Sequence, residues 1–166
     1  MATPTNLPAA FSSGAVLTAA QQNALRGAFR ILQVVQGTTT TIVSNSTTTY
    51  ADTTLTATIT PQSATSKILV MVSHGSVYKS NGNAFNGVNL RLVRGATVIS
   101  NFGAGVGYTG TALDLTSSCS TVYLDSPATT SATTYKTQFA NNFAANLVQV
   151  QVSASLSTIT LLEVSA

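Results

Sequence analysis

The sequence predicts an all-β chain: a jelly-roll-like β-sandwich preceded by a short N-terminal arm and helix. Three observations predict it. From Ile31 onward, short β-branched and apolar runs are cut at intervals by Gly, Asn, Asp and Pro, the punctuation of a sandwich or barrel. Polar positions are filled by Thr, Ser, Asn and Gln. Charged residues are only 7% of the 166, against roughly 25% in an ordinary soluble domain. Third, the stretch KILVMVSHGSVY, residues 67–78, holds an unbroken apolar run from Ile68 to Val72. A strand shows alternate residues to opposite faces, so both faces of this one need burial.

Residues 1–30 read as an anchoring arm and short helix, and 31–166 as the β body. Pro4 and Pro8 exclude regular helix at the start and favour an extended arm. Thr18 then suits an N-cap, with Gln21 completing a capping box. Ala20, Ala24 and Ala28 fall on one stripe beside Leu25 and Phe29, which predicts a helix from Ala19 to about Phe29. Such a helix either packs on its own domain or docks on a larger assembly. Its Ala-rich, charge-poor makeup favours the second.

The β body follows in order. Ile31, Leu32, Val34 and Val35 make a strand before Gly37, and Thr38–Thr49 reads as a strand and polar turn around Ile42 and Val43. Leu55–Thr60 alternates until Pro61 stops it. After the central strand, Asn81-Gly82 and Asn86-Gly87 signal turns, with Phe85 between them at a loop tip. Val88–Val93 and Thr97–Phe102, joined at Arg94-Gly95, form the clearest hairpin, and Gly103–Gly110 is a glycine-rich loop. Strands follow at Ala112–Leu115, Cys119–Leu124, Thr133–Ala140, Leu147–Ser153 and Thr158–Val164. The strands at Ile31, Ile68 and Ile159 are apolar on both faces. In an antiparallel sheet one face is normally wet, so these predict burial between subunits. Ile68, Val70, Val72, Ile159 and Leu161 are the expected interface residues.

Composition narrows the function. Net charge is +3, from seven Lys and Arg against four Asp and Glu, and there is no basic run. Nucleic-acid binding needs a clustered patch, usually with stacking aromatics, so none is expected. A lone Cys119 cannot pair within the chain, which fits synthesis in a reducing cytosol. The N-terminus lacks the charged and apolar regions of a secretory signal. No stretch approaches the roughly 18 apolar residues of a membrane-spanning helix.

No motif carries catalysis. Gly105, Gly107 and Gly110 match GxGxxG by spacing, but the dinucleotide motif opens a helix within a βαβ unit, and here a strand follows. His74 is the single histidine, with no nucleophile elbow nearby; it reads as a strand histidine bonded to a neighbour. One His, one Cys and four acids make a zinc site improbable. Glycan cleavage needs paired carboxylates, and nothing marks two of Asp52, Asp114, Asp125 and Glu163 as partners, which leaves a depolymerase as the third alternative. Neither cofactor nor metal is expected. Phe85, Phe102 and Tyr108, with Asn81, Asn83 and Asn101 nearby, are candidates for a sugar-binding loop surface. For each aromatic taken singly, folding back onto the core is the commoner fate.

The segments LTAAQQNALRGAFRILQVVQ, ITPQSATSKILVMVS, LRLVRG, YLDSPATTSATTYKTQF and STITLLEV resemble small fibre-like or head-decoration proteins of environmental and cyanobacterial tailed bacteriophages. The resemblance covers about Leu17 to Val164; SKILVMV and DSPATTSATTYK are its most specific parts. It implies a virion protein, assembled in the host cytoplasm, trimeric and with a jelly-roll-like body. It carries no catalytic residues. The expected function is a trimeric decoration, cement or short-fibre protein held by its arm to other virion proteins of the capsid, baseplate or tail. The alternative is a tail-fibre protein that recognises a host-surface glycan.

Overall fold

The computed structural model describes residues 31–144 and 146–165, together with Gly14, Val16, Thr18 and Ala19. Apart from Ala19, the helix expected from Ala19 to about Phe29 lies outside the described residues, as does most of the arm.

Among the described residues ten strands make two antiparallel sheets: β1 (Ile31–Thr39), β2 (Val43–Asn45), β3 (Ala51–Ile59), β4 (Lys67–Lys79), β5 (Val88–Arg94), β6 (Thr97–Val106), β7 (Leu115–Asp125), β8 (Thr133–Asn141), β9 (Val148–Val150) and β10 (Ser157–Val164). The first sheet runs β1-β10-β4, with β7 on the other side of β4. β9 pairs the far end of β4 and carries β2 beside it. The second sheet runs β3-β8-β5-β6. Alternation in β3, with Thr53, Leu55, Ala57 and Ile59 buried and the residues between exposed, shows how each strand gives one face to the core.

The sequence placed most strands correctly. It misjudged Gly103–Gly110, where β6 continues to Val106. Gly103 can remain in the strand because its missing side chain lets Leu90, Val106 and the Cys119 thiol close around it. Ala112, Leu113 and Asp114 lie in a loop instead of a strand, which begins only at Leu115 as β7, and Val152 leaves the sheet in a 3-10 turn, Val152–Ala154. At Gly37 a side chain would collide with the Thr56 carbonyl, so glycine lets β1 close against β3.

Two apolar clusters fill the interior. One holds Leu55, Ile59, Ile68, Val70, Val72, Leu92, Tyr135, Ile159 and Leu161; the other holds Val77, Val88, Leu90, Phe139, Val148 and Val150. Burial of each such aliphatic side chain is worth about 1.5–3 kcal/mol. A polar belt lies between the clusters. His74 comes between Val72 and Val77 on β4, and Thr137 between Tyr135 and Phe139 on β8. His74, Thr137, Thr53, Gln151 and Ser157 are all fully buried. Gln151, Ser153 and Ala154, at the break between β9 and β10, have left-handed φ of 57°, 56° and 53°, a conformation that non-glycine residues hold only when their surroundings enforce it.

Candidate functional site

The three strands that read as apolar on both faces are direct neighbours, β1-β10-β4. Register therefore decides which residues point where. Val35, Leu161, Val70 and Tyr123 form one inward row across β1, β10, β4 and β7. One residue along each strand, Val34, Leu162, Leu69 and Leu124 form an outward row, and beyond it lie Gln36, Thr160, Met71 and Val122. Val34, Met71, Val122 and Leu124 are 58%, 44%, 63% and 51% exposed. At about 4.8 Å between strands, each row spans roughly 14 Å. A shallow trough of about 280 Å³ lies beside Met71 and Val122, walled by Ser73, Ser120, Thr158 and Thr160. No charged residue interrupts these rows.

The interface residues expected from the sequence are placed differently. Ile68, Val70, Val72, Ile159 and Leu161 all belong to the interior cluster, each no more than 3% exposed. They cannot meet another subunit in the folded chain. Their alternate neighbours Leu69, Met71 and Leu162 hold the outer face. Both parities are apolar, so periodicity carried no signal to separate them.

The loop candidates also divide. Phe102 is partly buried, packs against both clusters and stacks on His74 with ring centroids 6.3 Å apart; it is a core residue, drawn inward because β6 extends past it. Phe85 and Tyr108 are 57% and 51% exposed and gather at the end of the sandwich where β4 finishes. Phe143, which sequence reasoning missed, lies 6.1 Å from Phe85 between ring centroids. Tyr108, Asn89, Asn142, Ala104 and Gly105 line a depression of about 280 Å³. Asn83 Oδ1 accepts the Phe85 backbone N–H at 2.7 Å and so shapes the loop tip.

His74 is bonded within the chain. Gln151 Nε2 donates to His74 Nδ1 at 3.1 Å, which leaves Nε2–H to donate to Thr137 Oγ1 at 3.1 Å. Thr137 Oγ1 in turn meets Thr53 Oγ1 at 2.5 Å. Burial lowers the His74 pKa to about 4, so the ring is neutral at neutral pH. Cys119 is a half-buried strand residue whose thiol pKa is raised by burial.

Each acid has its own partners. Asp52 accepts from Lys136 at 2.8 Å and Gln138 at 2.6 Å. Burial raises its pKa, but these bonds outweigh that and leave it lowered. Asp114 accepts from Tyr78 and the Asn81 N–H. Asp125 is buried at the end of β7, taking Arg94 at 2.7 Å and the Tyr135 hydroxyl at 2.7 Å. Burial first, then Asp125, pushes the Tyr135 pKa up. Glu163 accepts from Gln33 at 2.6 Å and the Gln62 N–H at 2.7 Å, rather than from a Lys or Arg. Glu163 and Asp125 share an inward row with Ile68 between them. Among the described residues no hydrogen bond joins two acids, and no three His, Cys, Asp or Glu side chains cluster as a metal site.

The described residues thus define an all-β sandwich with one apolar sheet face and one aromatic loop end. No family model matches the chain, and no curated protein matches it in sequence.

Proposed function

We propose that the chain is a non-catalytic structural protein of a tailed-phage virion, a homotrimer with a jelly-roll body held to other virion proteins by residues 1–30. The observation that carries self-association is the outward apolar face: three doubly apolar strands lie side by side and, with β7 beside them, align Val34, Leu162, Leu69 and Leu124 in one row. Uncharged rows of this kind suit a permanent subunit contact, where interface cores are depleted of charge. The jelly-roll reading rests on strand order. β1-β10-β4-β7 faces β3-β8-β5-β6, and among the described strands the chain crosses between sheets at six of the nine steps. The virion location rests on the resemblance of SKILVMV and DSPATTSATTYK to phage decoration and fibre proteins.

The polarity of the body fits an anchored role. The chain enters at Ile31, which pairs with Val164 beside Lys67, the first residue of β4. Phe85, Tyr108 and Phe143 lie past Lys79, its last residue. With 13 residues at about 3.3 Å each, β4 puts roughly 40 Å between the two ends.

Light scattering after gel filtration should give the mass of three 17.0 kDa chains, about 51 kDa; a stable monomer at micromolar concentration refutes the trimer. Removal of residues 1–30 should leave a folded β body that no longer sediments with phage particles. Normal incorporation of the truncated chain would place the anchor elsewhere.

A further inference from the structure

We propose that the far end of the sandwich is a carbohydrate-binding site, in which Tyr108 stacks on a neutral hexose or N-acetylhexosamine and Phe85 and Phe143 extend the contact. The inference does not depend on the virion reading, because it rests on the loop end alone. Among the described residues three aromatic side chains are exposed, Phe85, Tyr108 and Phe143, and all three are at this end. Exposed aromatics scattered singly need no explanation, but a contiguous set marks a binding surface. Their rings are flat and amphipathic, suited to the C–H face of a pyranose.

The polar complement lies beside them. Asn89 uses Oδ1 to accept the Gly105 N–H at 2.8 Å, and no acceptor among the described residues takes its Nδ2. Asn142 uses Nδ2 to donate to the Phe85 carbonyl at 3.3 Å, and no donor among the described residues reaches its Oδ1. A fixed amide donor and a fixed amide acceptor therefore flank one depression, about 280 Å³ in volume, whose wall includes Tyr108. Vicinal sugar hydroxyls both donate and accept, and convergent polar groups of this kind orient a ligand. Gly105, with φ of +62°, lines the same depression and keeps it open where a side chain would intrude. No ionised group lines it, so the preferred sugar is uncharged.

The test is an amide chemical-shift titration of the full chain with glucose, galactose and N-acetylglucosamine, each at millimolar concentration. At least one should move resonances of residues 83–89, 104–108 and 142–143. Tyr108→Ala should weaken that sugar by about tenfold or more, equivalent to about 1.4 kcal/mol, with an unchanged melting temperature. Ala104→Trp fills the depression without removing a contact and should weaken binding similarly. The proposal is overturned if none of the three sugars shifts these residues, which is the outcome expected of a protein-docking surface. It is equally overturned if both variants bind as the parent does.

Discussion

Val70→Asp is expected to leave no stably folded protein, whereas Met71→Asp, one residue along β4, is expected to leave a folded chain that cannot form the proposed trimer. Val70 is fully buried in the inward row between Leu161 and Tyr123. An aspartate there loses about 1.5–3 kcal/mol of apolar burial and places a carboxylate with no partner among aliphatic side chains, a further cost of about 3–5 kcal/mol. Together these consume much of the roughly 5–15 kcal/mol that holds a domain folded. Met71 points the other way and is 44% exposed. Its aspartate stays solvated in the monomer and is buried only if another subunit covers the face. Circular dichroism reads the first effect and light scattering the second. If Met71→Asp remains trimeric, the outer face of this sheet is not the subunit contact. If Val70→Asp folds normally, the assigned register of β4 is wrong.

Between neutral pH and about pH 4 the chain should lose roughly 3 kcal/mol of stability through His74 alone. The sign follows from the direction of the shift. Burial lowers the His74 pKa from 6.5 to about 4 in the folded state. Between those values the unfolded chain binds the proton and the folded chain does not, so stability rises with pH. The contribution is complete above 6.5 and is lost as pH falls towards the folded value. Asp52 and Glu163, both lowered by their hydrogen bonds, lose their own contributions as pH falls further through their folded pKa values. Urea denaturation at a series of pH values measures the total, and His74→Gln isolates the histidine, since glutamine does not titrate. The stability of the parent relative to the variant should fall smoothly as pH drops from about 6.5 towards 4. A difference that stays constant would mean that the ring is not held neutral in the folded chain.

Much of the architecture could be read from local chemistry. Strand existence followed from β-branched runs and their Gly, Asn and Pro punctuation, and Val88–Arg94 with Thr97–Val106 forms the hairpin that Arg94-Gly95 announced. The doubly apolar character of three strands was also legible, because composition alone records it. Their outward sides were not, because Ile68 to Val72 gives no polar residue to break the tie between two parities.

Two other features were decided by contacts distant in sequence. Phe102 and Tyr108 both looked like loop aromatics, separated by a few residues of a glycine-rich run. Pairing of β6 with β5 continues to Val106, and this draws Phe102 between the sheets while Tyr108 stays outside. Phe143 and Asn142 join Phe85 across more than 50 positions, through the Asn142 bond to the Phe85 carbonyl. The polar belt is the same kind of feature: His74 and Thr137 are each unremarkable in their own strand and Gln151 in the break after β9, and only sheet packing makes them partners. The sequence by itself therefore determined the strand content, the scarcity of charge and the presence of surplus apolar faces. Tertiary structure decided which side of each strand was the surplus and which loop residues met, because both depend on register and on contacts between segments that local periodicity does not record.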